Sequence, residues 1–74
     1  MTVPTYPSVD DSRERLERAG WSVAREGCDF PGPAPNHWVV VRRGDRSVVG
    51  EGTTVREAWW RAATQALGGQ GDAP

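Results

Sequence analysis

The chain holds few residues of the kinds that carry catalysis. It has a single histidine, His37, and a single cysteine, Cys28. The carboxylate of Asp29 stands next to Cys28 and disfavours the thiolate, which is the reactive form of cysteine. One cysteine allows no internal disulfide, and the sequence contains no Gly-x-Ser-x-Gly, phosphate-loop or His-x-x-x-His motif. We therefore expect no enzymatic activity, no cofactor and no metal site.

A second candidate site is the turn before the last predicted helix. Two glycines and two threonines precede this helix: Gly50, Gly52, Thr53 and Thr54. Free backbone N–H groups at a helix start can hold an anion such as a phosphate. An ordinary tight turn from a strand into a helix accounts for the same residues, and we favour that interpretation.

An amphipathic helix over residues 55–67 positions this turn. Thr54 and Glu57 have the spacing of a capping box, in which the hydroxyl accepts from the N–H of Glu57 and the carboxylate accepts from the N–H of Thr54. Apolar residues recur along one face at helical spacing: Val55, Ala58, Trp59, Ala62, Ala63 and Ala66. This pattern predicts that Trp59 is a core residue and that Trp60 lies at the edge of the apolar face. Gly68 and Gly69 end the helix.

The rest of the chain predicts one more helix and three strands. Ser8 is the expected N-cap of the first helix, whose narrow apolar stripe contains Leu16 and which Gly20 closes. Strands are expected at 21–26, 37–43 and 47–53, with a glycine- and proline-rich loop at 27–36 and a two-residue turn at Gly44-Asp45.

These elements predict an α+β fold, a two-layer α-β-β-β-α domain in which two helices pack on a three-stranded antiparallel sheet. With 74 residues the chain has room for one domain. We assign it to residues 8–67, preceded by an extended segment at 1–7 and followed by a flexible tail at 68–74. Leu, Val and Phe together number only 12, and there is no Ile, so the expected core is lean.

Both faces of the central hairpin are apolar. Pairing across the turn places Trp38, Val40 and Val49 on one face and three other valines on the opposite face: Val39, Val41 and Val48. Two helices can cover only one of these faces, which leaves an apolar surface without a partner. We expect a protein partner or a homodimer contact formed by Val39, Val41 and Val48 or by the edge at Trp60.

The element order and several motifs resemble the double-stranded-RNA-binding domain. Gly32-Pro33 and His37 are similar to its Gly-Pro-x-His loop, Gly50-x-Gly52 to the end of its third strand, and Ala62-Ala63-x-x-Ala66-Leu67 to its final helix. The resemblance implies the same fold, and nucleic-acid contacts at four positions: His37, Thr53, Arg56 and Arg61. The family's lysine-rich run at the start of the last helix is matched here by a single cation, Arg56.

Charge and composition rank the functional alternatives. The net charge is -1 and the pI about 5.7, so the whole chain has no electrostatic attraction to nucleic acid or to anionic membranes. No apolar run approaches the roughly 20 residues of a membrane span, and nothing resembles a signal peptide, so we expect a cytoplasmic protein.

The favoured hypothesis is a non-catalytic protein-interaction module. Weak binding of duplex RNA or another nucleic acid is the alternative. A second alternative is an antitoxin-like partner protein, since HicB-type antitoxin domains have a similar short strand-plus-helix pattern.

Overall fold

The predicted fold class is confirmed. The computed structural model describes residues 6–30 and 32–68. Two helices pack on one open, three-stranded antiparallel sheet with strand order β1-β2-β3. The elements, in chain order, are α1 (Val9–Arg18), β1 (Ser22–Asp29), β2 (Asn36–Arg43), β3 (Arg46–Gly52) and α2 (Val55–Ala63), which continues as a wider π-helical turn at Thr64–Gly68. Residues 1–5 and 69–74, which hold most of the predicted extended segment and tail, lie outside the described residues.

Local hydrogen bonds and turn geometry define several element ends as predicted. The Ser8 hydroxyl accepts from the N–H of Asp11 at 3.1 Å, which caps α1. Gly20 follows α1 with a φ of +91°, a conformation that favours glycine. Arg43 pairs with Arg46 across the two-residue turn, where Gly44 has a φ of +62°.

The first strand is longer than the sequence predicts. Residues 27–29 were expected in a loop, but they belong to β1, and Gly27 pairs with Trp38 in β2. Glycine and aspartate are both depleted in β-strands, so the local sequence does not predict a strand at these positions. Here the ring of Trp38 lies so close to Gly27 that a Cβ at this position would be 2.5 Å from Cζ2 of the ring. The cross-strand partner therefore extends the strand where the local sequence does not.

The helices cover the face that carries Val39 and Val41. These two valines are 1% and 0% exposed and belong to the core, together with Leu16, Trp21, Ala58, Trp59, Ala62, Ala63 and Ala66. Val48 is half-buried and packs against this core. The expectation that Val39, Val41 and Val48 form an exposed contact surface is therefore wrong, because the helices occupy that side of the sheet.

A close approach between α2 and β3 determines which face is covered. Gly50 pairs with Val39, and a Cβ at Gly50 would overlap the backbone carbonyl of Ala58 and the backbone nitrogen of Ala62. The alanines of α2 therefore lie directly on the strand, at a distance that only glycine at position 50 permits. The opposite face carries no such opening for a helix, since Val49 and Glu51 occupy the same stretch of β3 there.

We predict that Gly50→Ala destabilises the domain. The added methyl group must displace the α2 backbone, so we expect the free energy of unfolding to fall by about 1–3 kcal/mol or more. Gly32→Ala is the matched control, because among the described residues, apart from its chain neighbours, no atom lies within 4 Å of a Cβ at that position. It should change stability by less than about 0.5 kcal/mol. Urea unfolding measures both. Similar losses in the two variants would contradict the close approach.

Candidate functional site

The start of α2 is held together by Glu57. The Thr54 hydroxyl accepts from the N–H of Glu57 at 3.1 Å, which confirms Thr54 as the N-cap. The carboxylate accepts from the backbone N–H of Thr53 at 2.9 Å and from the Thr53 hydroxyl at 3.2 Å. The sequence predicts that the Glu57 carboxylate accepts from the N–H of Thr54. In the structure it accepts from the N–H of Thr53 instead. The reason is that the Glu57 side chain lies across Gly52, which has no side chain to hold it away.

Two further side chains bind the same carboxylate. Nη2 of Arg61 lies 2.8 Å from Oε2 of Glu57, and the Tyr6 hydroxyl donates to that oxygen at 3.3 Å. The Glu57 side chain is only 13% exposed. The N–H of Thr53 lowers the pKa of Glu57 most, against the opposing effect of burial, and the Thr53 hydroxyl, the Arg61 charge and the Tyr6 hydroxyl lower it further. The helix start therefore holds an ionised carboxylate of its own chain.

This arrangement leaves little for an external phosphate to bind. Thr53 and Arg61, two of the predicted nucleic-acid contacts, both bind Glu57. They line an open cleft of about 290 Å³ together with Asn36, Glu51, Gly52 and Glu57. Two carboxylates and one guanidinium line this cleft, so its charge is negative, which disfavours an anion. Arg56 is exposed on the first turn of α2 and does not line the cleft. Arg61 is the one cation in the cleft lining.

His37 and Cys28 form a cross-strand pair. The two residues oppose each other in β2 and β1, and Sγ of Cys28 lies 3.8 Å from Nε2 of His37. Cys28 was expected in a loop, but it lies within β1. Among the described residues no group of three or more His, Cys, Asp or Glu side chains could hold a metal ion. His37 also pairs with Gly52, so the structure brings it to the sheet end where α2 begins.

The tryptophans of α2 differ in their surroundings. Trp59 is 2% exposed, which confirms its predicted place in the core, and the Arg13 guanidinium lies 5.3 Å from its ring centre. Trp60 is half-buried, and its ring centre lies 5.0 Å from that of Tyr6. The edge at Trp60, a predicted contact surface, is thus partly covered by the segment that precedes α1.

The sheet face opposite the helices is the apolar surface that remains. We call it the outer face and define it by the residues that alternate away from the helices: Ser22, Arg25, Gly27, Asp29, Asn36, Trp38, Val40, Arg42, Ser47, Val49 and Glu51. Val49 is 45% exposed and Val40 is half-buried. In the described part of the chain, both helices pack on the other side. Gly50 lies opposite Val39 on the covered face, but only the seating of α2 on Gly50 shows which of the two faces is covered.

Trp38 is fixed at the centre of the outer face. Its ring lies across Gly27, its Nε1 donates to Oδ2 of Asp29 at 3.1 Å, and the Arg25 guanidinium lies 5.9 Å from the ring centre. The ring is therefore held flat along the sheet by partners from the neighbouring strand. Such a pre-positioned aromatic ring loses little conformational freedom when a partner covers it.

Comparison of the chain with models of protein families and with curated proteins finds no match. The arrangement of its elements is compatible with the double-stranded-RNA-binding fold. None of the described helices is both long and apolar enough to cross a membrane.

We predict that Glu57 stabilises the fold in a pH-dependent manner. Its folded pKa lies below the ordinary value of 4.5, so its contribution is present above that pH and is lost as the pH falls through the folded pKa. At pH 7, Glu57→Gln should lower the free energy of unfolding by about 1 kcal/mol. The difference in the free energy of unfolding between Glu57→Gln and the unmodified chain should shrink progressively as the pH falls below 4.5.

Urea unfolding at a series of pH values measures this difference. Glu14→Gln is the matched control, since Glu14 also pairs with an arginine four residues on, Arg18, but both side chains are well exposed. It should cost less than about 0.5 kcal/mol at any pH. A loss for Glu57→Gln that stays constant down to strongly acidic pH would contradict the role of the ionised carboxylate.

Proposed function

We propose that this chain is a small non-catalytic protein-interaction module that binds through its outer face. The observation that carries the proposal is the apolar centre formed by Trp38, Val40 and Val49, which no described helix covers. Contiguous apolar patches on small proteins commonly mark interaction sites. Polar and charged residues surround this centre, as they do in the rim of protein interfaces.

We further propose that the domain is a double-stranded-RNA-binding-type fold without the family's function. The α-β-β-β-α order and the packing of α2 on Gly50 support the fold. The electrostatics argue against the function, because phosphate contacts supply most of the affinity for a duplex. Here Glu57 occupies the helix start, Arg61 is paired with it, and Glu51 adds a further negative charge to the cleft.

The antitoxin-like alternative belongs to the same broad class, since it also requires a protein partner. It rests on the strand-plus-helix order of β3 and α2. The antitoxin-like alternative therefore has less support than a general interaction module. The cytoplasmic location of the protein stays a prediction.

We predict no specific binding of duplex RNA at physiological salt. Contact should be no tighter than the roughly 10⁻⁴–10⁻⁶ M of non-specific association. Titration of a fluorescent RNA duplex at two salt concentrations measures this. The matched variant is Val55→Lys, which adds a cation at an exposed position of the first helical turn and should tighten contact only slightly. Tight binding by the unmodified chain, with a steep salt dependence that Arg56→Ala removes, would overturn the ranking.

Site-specific photo-crosslinking in the native host tests the proposed contact surface. We expect p-benzoylphenylalanine at position 49, on the outer face, to form covalent adducts with protein. The same residue at position 15, an exposed site on α1, is the control and should form far fewer adducts. Equal yields at the two positions, or none at position 49, would contradict a protein contact at the outer face.

A further inference from the structure

We infer that the partner of the outer face is a second copy of this chain, stacked face to face with its strands antiparallel to those of the first. This inference rests on the proposed function of the outer face as a protein contact. The supporting observation is the distribution of charges along the strands. Because of it, the outer faces of two copies match in charge in one orientation only.

The two ends of the outer face carry opposite charges. Asp29 pairs with Asn36 at the start of β2, and Glu51 pairs with Trp38, so both carboxylates lie toward one end of the sheet. Arg25 pairs with Val40, and Arg42 lies further along β2 beside Ser47. All four charged residues are exposed. The outer face therefore runs from an acidic end to a basic end across its apolar centre.

Two sheets can stack face to face about a two-fold axis in two simple ways. An axis along the strands keeps the strand directions parallel and places basic end over basic end, with Arg42 near Arg42 of the second copy. An axis across the strands reverses the strand direction and places Arg42 over the acidic end of the second copy, within reach of its Asp29 and Glu51. Like charges at an interface are strongly unfavourable. The charge pattern therefore selects the antiparallel stack.

The apolar centre suits the same orientation. Trp38 and Val40 are successive outward-facing residues of the middle strand, and Val49 lies beside Val40. An axis that crosses β2 between Trp38 and Val40 brings the ring of each copy against the valines of the other. Because Asp29 and Gly27 already hold the ring flat, the two surfaces meet with little rearrangement.

The size of the face sets the expected affinity. Three strands of up to 8 residues form a patch of about 26 Å by 14 Å. Two such patches bury on the order of 800 Å² in total, which is below the roughly 1,200–2,000 Å² of stable interfaces and within the range of weak, transient contacts. We therefore expect a reversible dimer with a dissociation constant in the micromolar range and not an obligate one.

Charge reversal at the two ends tests the orientation. We expect R42E and E51R each to weaken self-association by about tenfold or more, because each places like charges together twice in the dimer. An equimolar mixture of the two variants should recover association as a heterodimer, and the double variant R42E/E51R should recover it as a homodimer. R15E, a charge reversal on the exposed surface of α1, is the control and should leave association unchanged. Sedimentation equilibrium measures all five samples.

A spin label resolves the orientation without charge reversal. The label is attached through Ser47→Cys in a Cys28→Ser background, and an isotope-labelled copy without the spin label is mixed in. The antiparallel stack should broaden amide signals near Asn36 of the second copy, whereas the parallel stack should broaden those near Ser22. Broadening near Ser22 would overturn the inference, and this measurement remains decisive if a charge-reversed variant fails to fold.

Failure of the inference can be told apart from failure of the proposed function. A purified chain that stays monomeric up to about 1 mM, while position 49 still forms adducts with other proteins in the host, would overturn the second copy as partner and leave the proposed function standing. Association that neither R42E nor E51R changes would overturn the antiparallel stack alone. A monomer that also forms no adducts at position 49 would overturn both.

Discussion

The contact between α2 and β3 is the constraint on which the rest of this structure depends. Gly50 lets the helix backbone at Ala58 and Ala62 lie directly on the strand, in space that any side chain at position 50 would fill. Close-packed interiors tolerate such overlap poorly. Once α2 occupies this side of the sheet, Val39 and Val41 become core residues and the side chains that alternate with them are left facing outward.

The same contact brings a carboxylate of the chain itself to the start of α2. Because α2 lies close to the strand, Glu57 extends across Gly52 and its carboxylate reaches the N–H of Thr53. The chain thus supplies the anion that a helix N-terminus favours, and Arg61 and Tyr6 bind it from two other sides. A geometry that binds phosphate in other proteins is here an internal cap.

The outer face is the side of the sheet that the described helices leave uncovered. The outer face has an apolar centre, a tryptophan fixed by Asp29 and Gly27, and opposite charges at its two ends. Cys28 and His37 form a pair across β1 and β2, and among the described residues no group of three or more His, Cys, Asp or Glu side chains could hold a metal ion. These features of the outer face are the ones that support the proposed protein contact.

The sequence by itself determined most features that arise within a few residues of one another, although the Glu57 carboxylate binds the N–H of Thr53 and not that of Thr54. The caps at Ser8 and Thr54 and the turn at Gly44 depend on local hydrogen bonds and backbone conformation, and all three were predicted correctly. The tertiary structure alone decided the extension of β1 through Asp29 and the choice of the covered sheet face. Both depend on partners distant in sequence. Trp38 extends β1, and α2 seated on Gly50 selects the face, whereas alternation along a strand only shows that two faces exist.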